Sequence, residues 1–396
     1  MEPGKLEATL IGTLIDLAAV RADTPGCENL IFLDSAGSSL TPRPVREAVH
    51  NHLRLEEEVG GYRAAAMRSD ELLDGYEVFA SLLGCSPDEI AFSDSASRSW
   101  LSALDAVPLD PGDRVLVTEV EYHSNALALM HLGLRPEPIP SLPSGVVDES
   151  AFSAMLDARV KLVSLVHVPT NGGLVNPVGP LAAAARSVGA VVLLDACQSL
   201  GQLPVGLDGV DAVSGTGRKW LRGPRGTGVL AVRGLTPRLI DGRAALWESP
   251  DTYSVQSNAK AFELWEYGVA ERLGLIAAAR YALDLGISSI AAEVSARATL
   301  MRQLLGELPG ISVHDLGDER CGIVSFAVEG HDAEDVRDYL WDNGVAVSVT
   351  YDTSTQYDMT RRGIEKLVRA SPHYFVSPDE IARFVEFLSR LKPRVE

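Results

Sequence analysis

The sequence predicts an α/β protein: a large domain built on a mainly parallel sheet, followed by a smaller α/β domain. Three observations predict it. Short apolar runs at residues 90–92, 113–118, 160–166 and 190–194 recur through the first half of the chain. They have the length and β-branched content of strands buried on both faces. Each run ends in a polar or glycine-containing segment, the kind of loop that binds ligands at the carboxyl edge of an open α/β sheet. Beyond a long Ala-rich helix reaching about Leu285, helix and strand patterns alternate again to a terminal helix. The 396 residues are enough for one large and one small core.

In chain order, spaced apolar positions at 5–21 read as a helix that Pro25-Gly26 ends. Residues 31–33 read as a short strand entering the small-residue turn Asp34-Ser35-Ala36-Gly37-Ser38-Ser39. Helices follow at 43–58, with Pro42 and Pro44 near its start, and at 70–83. Between them lies Val59-Gly60-Gly61-Tyr62, whose tyrosine after two glycines could reach a substrate pocket, across a dimer interface if there is one. The 90–92 strand meets Ser93-Asp94-Ser95-Ala96-Ser97-Arg98 and a helix to about Val107. A serine-rich turn feeding a helix start suits an anion, through free N–H groups and the helix dipole, or is a plain serine cap. The 113–118 strand leads to Glu121-Tyr122-His123-Ser124-Asn125, and Val160–Val166 to His167-Val168-Pro169-Thr170-Asn171-Gly172-Gly173. The 190–194 strand stops at Asp195, and a short strand at 211–213 meets Ser214-Gly215-Thr216-Gly217-Arg218-Lys219, read as a glycine-rich turn. GTGVLAVR is a strand returning to the sheet, and residues 235–262 read as irregular. The smaller domain is read as a helix at 289–307, strand 323–327, helix 332–343, strand 345–349, an irregular stretch and a final helix from about Pro378.

Composition narrows the function. A net charge of −19 offers no basic patch for nucleic acid, so any anion site must be local. No apolar run is long enough for a transmembrane helix, and the acidic N-terminal stretch carries no clear signal-peptide pattern. Cys27, Cys85, Cys197 and Cys321 lie far apart without a CxxC, so neither a metal site nor a disulfide framework is expected. The simplest setting is reduced and cytoplasmic.

The chemistry gathers at residues 191–225. A carboxylate ending one strand and a lysine after the next should meet at the sheet's carboxyl edge. A lysine forms a Schiff base with a carbonyl cofactor such as pyridoxal 5'-phosphate (PLP), and an acid keeps that cofactor's pyridine nitrogen protonated. Lys219 and Asp195 fit those roles, and Thr216 and Arg218 could bind its phosphate. The run SGTGRKW lacks the first glycine of a P-loop and has Trp220 where a magnesium-binding hydroxyl belongs, which excludes a nucleotide site.

DACQ followed by SGTGRKWLRGPRGTG resembles the class V aminotransferase group of fold-type I PLP enzymes, from about Ile31 to about Leu391. That group includes cysteine desulfurases, selenocysteine lyases, isopenicillin N epimerase and carbon–sulfur lyases. The resemblance implies a seven-stranded, mainly parallel sheet in a large PLP-binding domain at 30–275, and a small domain formed by 1–29 and 276–396. It implies that the phosphate loop falls at Ala96 and Ser97, with Ala96 giving only backbone, and that His123 stacks on the PLP ring and shuttles protons. Thr170 or Asn171, and better Gln198, would meet the phenolic oxygen. Arg369, in LVRASPHYF, would bind the substrate's α-carboxylate with two parallel hydrogen bonds. A homodimer is implied by the group alone. FELWEYG stands where desulfurases reach the partner's phosphate, but their glycine–threonine pattern is absent.

Desulfurases also carry a nucleophilic cysteine shortly before the arginine. Residues 346–366 contain none, which disfavours persulfide chemistry. EVGGYRAA, GTGRKWLRGPRGTG and RASPHYF resemble carbon–sulfur lyases such as the ergothioneine-pathway sulfoxide lyase and the lincosamide-pathway cysteine S-conjugate enzymes. The expected activity is a PLP-dependent carbon–sulfur β-lyase acting on a cysteine S-conjugate or its sulfoxide, in antibiotic or small-thiol metabolism. Decarboxylating oxidative deamination of such a conjugate, epimerisation and desulfuration remain alternatives. No metal is expected.

Overall fold

Seven strands form the central sheet of the computed structural model, which describes residues 15–110 and 112–391. They are β1 (Ile90–Ser93), β2 (Arg114–Thr118), β3 (Pro136–Ile139), β4 (Val160–Val166), β5 (Val191–Asp195), β6 (Ala212–Thr216) and β7 (Gly228–Val232). Their order is β1-β7-β6-β5-β4-β2-β3. β7 runs antiparallel to β1 and β6, and the other pairings are parallel. The apolar runs reflect burial on both faces. Leu116, Val192 and Leu194 enter one core, while Val115, Val117 and Leu193 enter the other. Alternate side chains of a strand point to opposite faces, so a strand covered twice needs no polar alternation.

The main helices are α1 (Arg43–Val59), α2 (Ser69–Leu83), α3 (Ala96–Ala106), α4 (His123–His131), α5 (Val269–Leu285) and α6 (Ile287–Gly306). A second sheet of four antiparallel strands, β8 (Ile311–Val313), β9 (Val324–Val328), β10 (Ser348–Tyr351) and β11 (Lys366–Ala370), has the order β8-β9-β11-β10. A short helix, α7 (Gln356–Arg361), links β10 to β11, and α8 (Pro378–Ser389) is the last helix of the described residues, starting from a Ser377 capping box. Ile31–Phe32 pairs in parallel with Val345–Ala346, and Arg21 donates to Glu380 at 2.6 Å, so early and late segments pack together.

Several expectations are corrected. Residues 5–14 of the first expected helix lie outside the described residues; the helix seen is Leu17–Ala22, capped by Asp16. The segment after Gly60, to which the sequence assigned no element, is a helix, Gly61–Met67. β3 had no strand signal because two of its four residues are prolines. It survives at the sheet edge, bonded only to β2, where a missing N–H costs no ladder bond. Ser214, Gly215 and Thr216 belong to strand β6, and the turn begins at Gly217. Within residues 235–262 an exposed hairpin forms, Ala245–Ser249 with Thr252–Val255. The 345–349 strand divides, its first residues joining Ile31–Phe32 and the rest the second sheet.

Candidate functional site

The carboxyl ends of the parallel strands share one edge. Val166 is paired with Asp195, Asp195 with Ser214, and Gly228 with both Ser93 and Thr216. The segments leaving that edge line one cleft, to which Ala96, Ser97, Thr170, Asp195, Gln198, Thr216, Arg218 and Lys219 all contribute. The sequence named each of them. Tyr122 and Cys197 line it too.

At the floor, Asp195 is 5% exposed. Its Oδ1 accepts from the Cys197 N–H at 2.9 Å and its Oδ2 from the Asn125 amide at 3.0 Å. Lys219 follows β6 in a tight turn closed by the Arg222 N–H on the Lys219 carbonyl at 3.0 Å. Arg222 has a φ of 62°, an uncommon conformation for a residue with a side chain. Its buried guanidinium offsets that cost by donating to Leu40 O, Tyr374 Oη and Thr24 Oγ1. Gly201, with φ of 94°, brings the loop after β5 against the Trp220 and Leu221 backbone, where any Cβ would collide. Burial lowers the Lys219 pKa first, with Arg218 and Arg369 adding to the effect while Cys197 and Asp195 oppose it. Burial that disfavours the charged amine favours the Schiff-base chemistry a lysine can supply.

At the other end, Ala96 and Ser97 open α3, and their N–H groups have no partner within the helix. Ser95 caps the Arg98 N–H at 3.2 Å, leaving the first two free. A Cβ at Gly228 would strike the Ser95 backbone, so only glycine lets β7 approach this turn. Thr216 and Arg218 line the same region, and Arg218 also donates to the Gly37 carbonyl. Burial lowers the Arg218 pKa, with Arg225 and Arg369 adding to it.

Arg369 comes from β11. Its Nη1 donates to Thr170 O at 3.0 Å and Oγ1 at 2.9 Å, its Nε to Ser348 Oγ at 3.1 Å, and its Nη2 faces Asp34 at 3.3 Å. Gln198 donates to Thr170 Oγ1 at 3.3 Å and accepts from Trp220 Nε1 at 3.0 Å, tying the lysine turn to the arginine. Asn171, the alternative to Thr170, is turned away, its amide donating to Asp358 at 3.0 Å. His123 opens α4 beside Tyr122, ring centroids 4.2 Å apart, and its Nδ1 is buried without a partner among the described residues. Tyr62, 89% exposed, lines a separate groove with Trp265 and Tyr267.

This donor set fits PLP. Free helix N–H groups and Arg218 suit a phosphate, a depressed-pKa lysine suits a carbonyl, and a buried carboxylate suits a pyridinium. Sequence reading placed Glu121, Asn125 and Asp34 within the loops it singled out but gave them no role, and it did not single out Ser348; Asn125 bonds Asp195, Asp34 and Ser348 bond Arg369, and Glu121 bonds Asn125.

Residues 346–366 are ordered structure in place of a cysteine-bearing loop. Asp358 on α7 is buried, accepting from Asn171 and pairing with Arg361 at 3.3 Å and Arg362 at 3.1 Å, while Arg361 also meets Glu119 at 3.1 Å.

A family model described as aminotransferase class V matches residues 31–384. A probable cysteine desulfurase of Mycobacterium leprae is 31% identical, over 95% of this chain and 97% of its own. A probable hercynylcysteine sulfoxide lyase of Mycobacterium tuberculosis is 30% identical, over 90% of this chain and 89% of its own. The apo structure of a cysteine desulfurase from Thermococcus onnurineus superposes with a TM-score of 0.86 at 28% identity, over 94% of this chain and 97% of its own.

Proposed function

The chain belongs to the class V aminotransferase family and is a PLP-dependent enzyme, and from that premise we propose that it is a carbon–sulfur β-lyase. Its substrate would be a cysteine S-conjugate or the sulfoxide of one, its products a thiol or sulfenate, pyruvate and ammonia. PLP supplies the electron sink that makes the substrate's Cα–H acidic. Lys219 would hold the cofactor and, when free of it, take the substrate's α-proton. Asp195 would meet the ring nitrogen and His123 the ring. Ala96 and Ser97 N–H groups, Ser97 Oγ, Thr216 and Arg218 would hold the phosphate, while Gln198 and Thr170 would serve the phenolic oxygen. Arg369 fixes the substrate carboxylate. The Cβ–S bond then breaks with its electron pair on sulfur, and the released enamine hydrolyses.

What carries elimination over persulfide transfer is the state of the cysteines. Burial pushes Cys27 and Cys85 to about 11 and Cys321 to about 12. Cys197 is pushed well above the ordinary thiol value by burial, with the Asp195 charge adding. All four thiols are therefore shifted away from the thiolate, which is the nucleophile. The segment before Arg369 that would bear one is instead pinned through Asp358.

A large unit at 30–275 and a small one from 1–29 and 276–396 are part of this reading, as is a homodimer in the cytoplasm. Exposed Tyr62, Trp247, Tyr253 and Trp265 form apolar surface that a second copy would cover. Among the described residues no single helix is long and apolar enough to cross a membrane. The test is turnover of an S-alkyl cysteine sulfoxide without added reductant. A lyase releases sulfenate, pyruvate and ammonia from this substrate on every cycle; a persulfide enzyme needs the free thiol of cysteine, so it would release none of them.

A further inference from the structure

The carboxylate facing the ring nitrogen is held from behind by a second carboxyl group. Asn125 Nδ2 donates to Asp195 Oδ2 at 3.0 Å and to Glu121 Oε1 at 2.9 Å, so both amide hydrogens are used. Glu121 Oε1 also accepts from the Tyr122 N–H at 2.8 Å. The Ser164 hydroxyl also meets the Glu121 carboxyl group, whose other oxygen, Oε2, is buried. All three side chains are buried. A serine hydroxyl can accept as well as donate, so the neutral acid has a partner there for its O–H, while an ionised carboxylate this deep would carry a desolvation cost.

The surroundings agree. Burial pushes Glu121 up to about 8, and the Asp195 charge on β5 adds, while Ser164 on β4, Asn125 on α4 and the Tyr122 N–H pull the other way. Tyr357, from α7, faces the same carboxyl group. Two carboxyl groups joined by one amide hold a single negative charge more readily than two.

We propose that Glu121 is a positioning residue: as a neutral acid it anchors Asn125, and Asn125 fixes the Asp195 carboxylate for the cofactor's ring nitrogen. The proposal rests on the reading that Asp195 meets that nitrogen. Its function is to keep one oriented charge at the cleft floor at neutral pH. When Glu121 ionises, a second charge appears behind the first and the ring's electronic environment changes.

The test uses the full chain with PLP and three variants, Glu121→Gln, Glu121→Leu and Asn125→Leu. PLP affinity is measured by titrating the apo-protein, and the cofactor absorption spectrum is followed from about pH 6 to pH 10 without substrate. The Schiff base itself titrates in every variant, so the readout is the midpoint of that titration compared between variants. Glu121→Gln keeps a neutral acceptor for Asn125 and removes the group that can ionise behind Asp195, so it should hold PLP within about threefold of wild type and shift that midpoint. The two leucine variants should weaken PLP about tenfold to a hundredfold, the loss of one hydrogen bond to a charged group, and lower kcat more than KM. Leucine variants that bind PLP as tightly as wild type, or a Glu121→Gln titration with the wild-type midpoint, would overturn the proposal. Should the leucine variants fail to fold, PLP affinity and titration midpoint in Glu121→Gln and in Asn125→Asp decide. Lys219→Ala is the control for the underlying reading. If it keeps the Schiff-base absorption, the cofactor assignment fails, whatever Glu121 does.

Discussion

Lys219 sits where burial and two guanidinium groups all act against its charge. Replacing it with alanine removes both the attachment point and the base. The expected outcome is loss of the Schiff-base absorption band and a fall in kcat of about 10²–10⁴-fold, read by spectrum and steady-state assay. Arg369 is held on three sides by Thr170, Ser348 and Asp34, so its orientation is set before substrate arrives. Arg369→Gln should raise KM for an amino-acid substrate about tenfold to a hundredfold through loss of charge-assisted hydrogen bonds. An analogue lacking the carboxylate should be affected far less. At this scale the sequence was informative where a residue's role is local: the Asp195, Gln198 and Lys219 run carries its own pattern. Asn125 and Glu121 were invisible as a pair, because their role exists only once β5 lies beside the segment that precedes α4.

Elements position these groups, and the junction of α3 with β7 is the tightest. Gly228→Ala would force the strand away from the Ser95 turn. PLP affinity should fall, with a loss of about 1–3 kcal/mol in urea unfolding, the usual cost of overpacking. The short helix α7 is fixed by Asp358. Asp358→Ala strands Arg362 and frees Asn171, and should cost about 2–4 kcal/mol; limited proteolysis should open the chain near residues 352–364. Strand and helix existence was legible from apolar runs, because the parallel strands are buried twice. The misses have physical reasons. Two prolines disguise β3, whose edge position tolerates them. The hairpin after β7 has no buried face to impose alternation, every residue of its second strand being exposed. Glycine and serine in β6 read as a turn, although Gly215 is required there by Leu200 packed against its α-carbon.

Across the whole molecule, distant segments are joined through buried polar centres. Glu263 accepts from Tyr76 Oη at 2.8 Å and the Phe92 N–H at 3.0 Å, and pairs with Arg272 at 3.2 Å and Arg243 at 3.3 Å. It therefore links α2, β1, α5 and the segment after β7. pH acts on the whole fold through groups held away from their ordinary values. Burial lowers His167 from 6.5 to about 4. The unfolded chain takes up that proton first, so stability should fall as pH drops through this window. Glu121 has the opposite shift for an acid, from 4.5 to about 8. The folded state keeps that proton longer, and its contribution should be lost as pH rises across that range. Thermal unfolding against pH checks both signs, and Glu121→Gln should flatten the alkaline limb. The same fold can serve elimination, sulfur transfer or decarboxylation, so the fate of the substrate's carbon skeleton is the most direct discriminator. The decisive measurement is mass spectrometry of the carbon product from a cysteine S-conjugate. Pyruvate equimolar with released thiol is the expected result; alanine, or carbon dioxide with an aldehyde still bonded to sulfur, would contradict the lyase assignment.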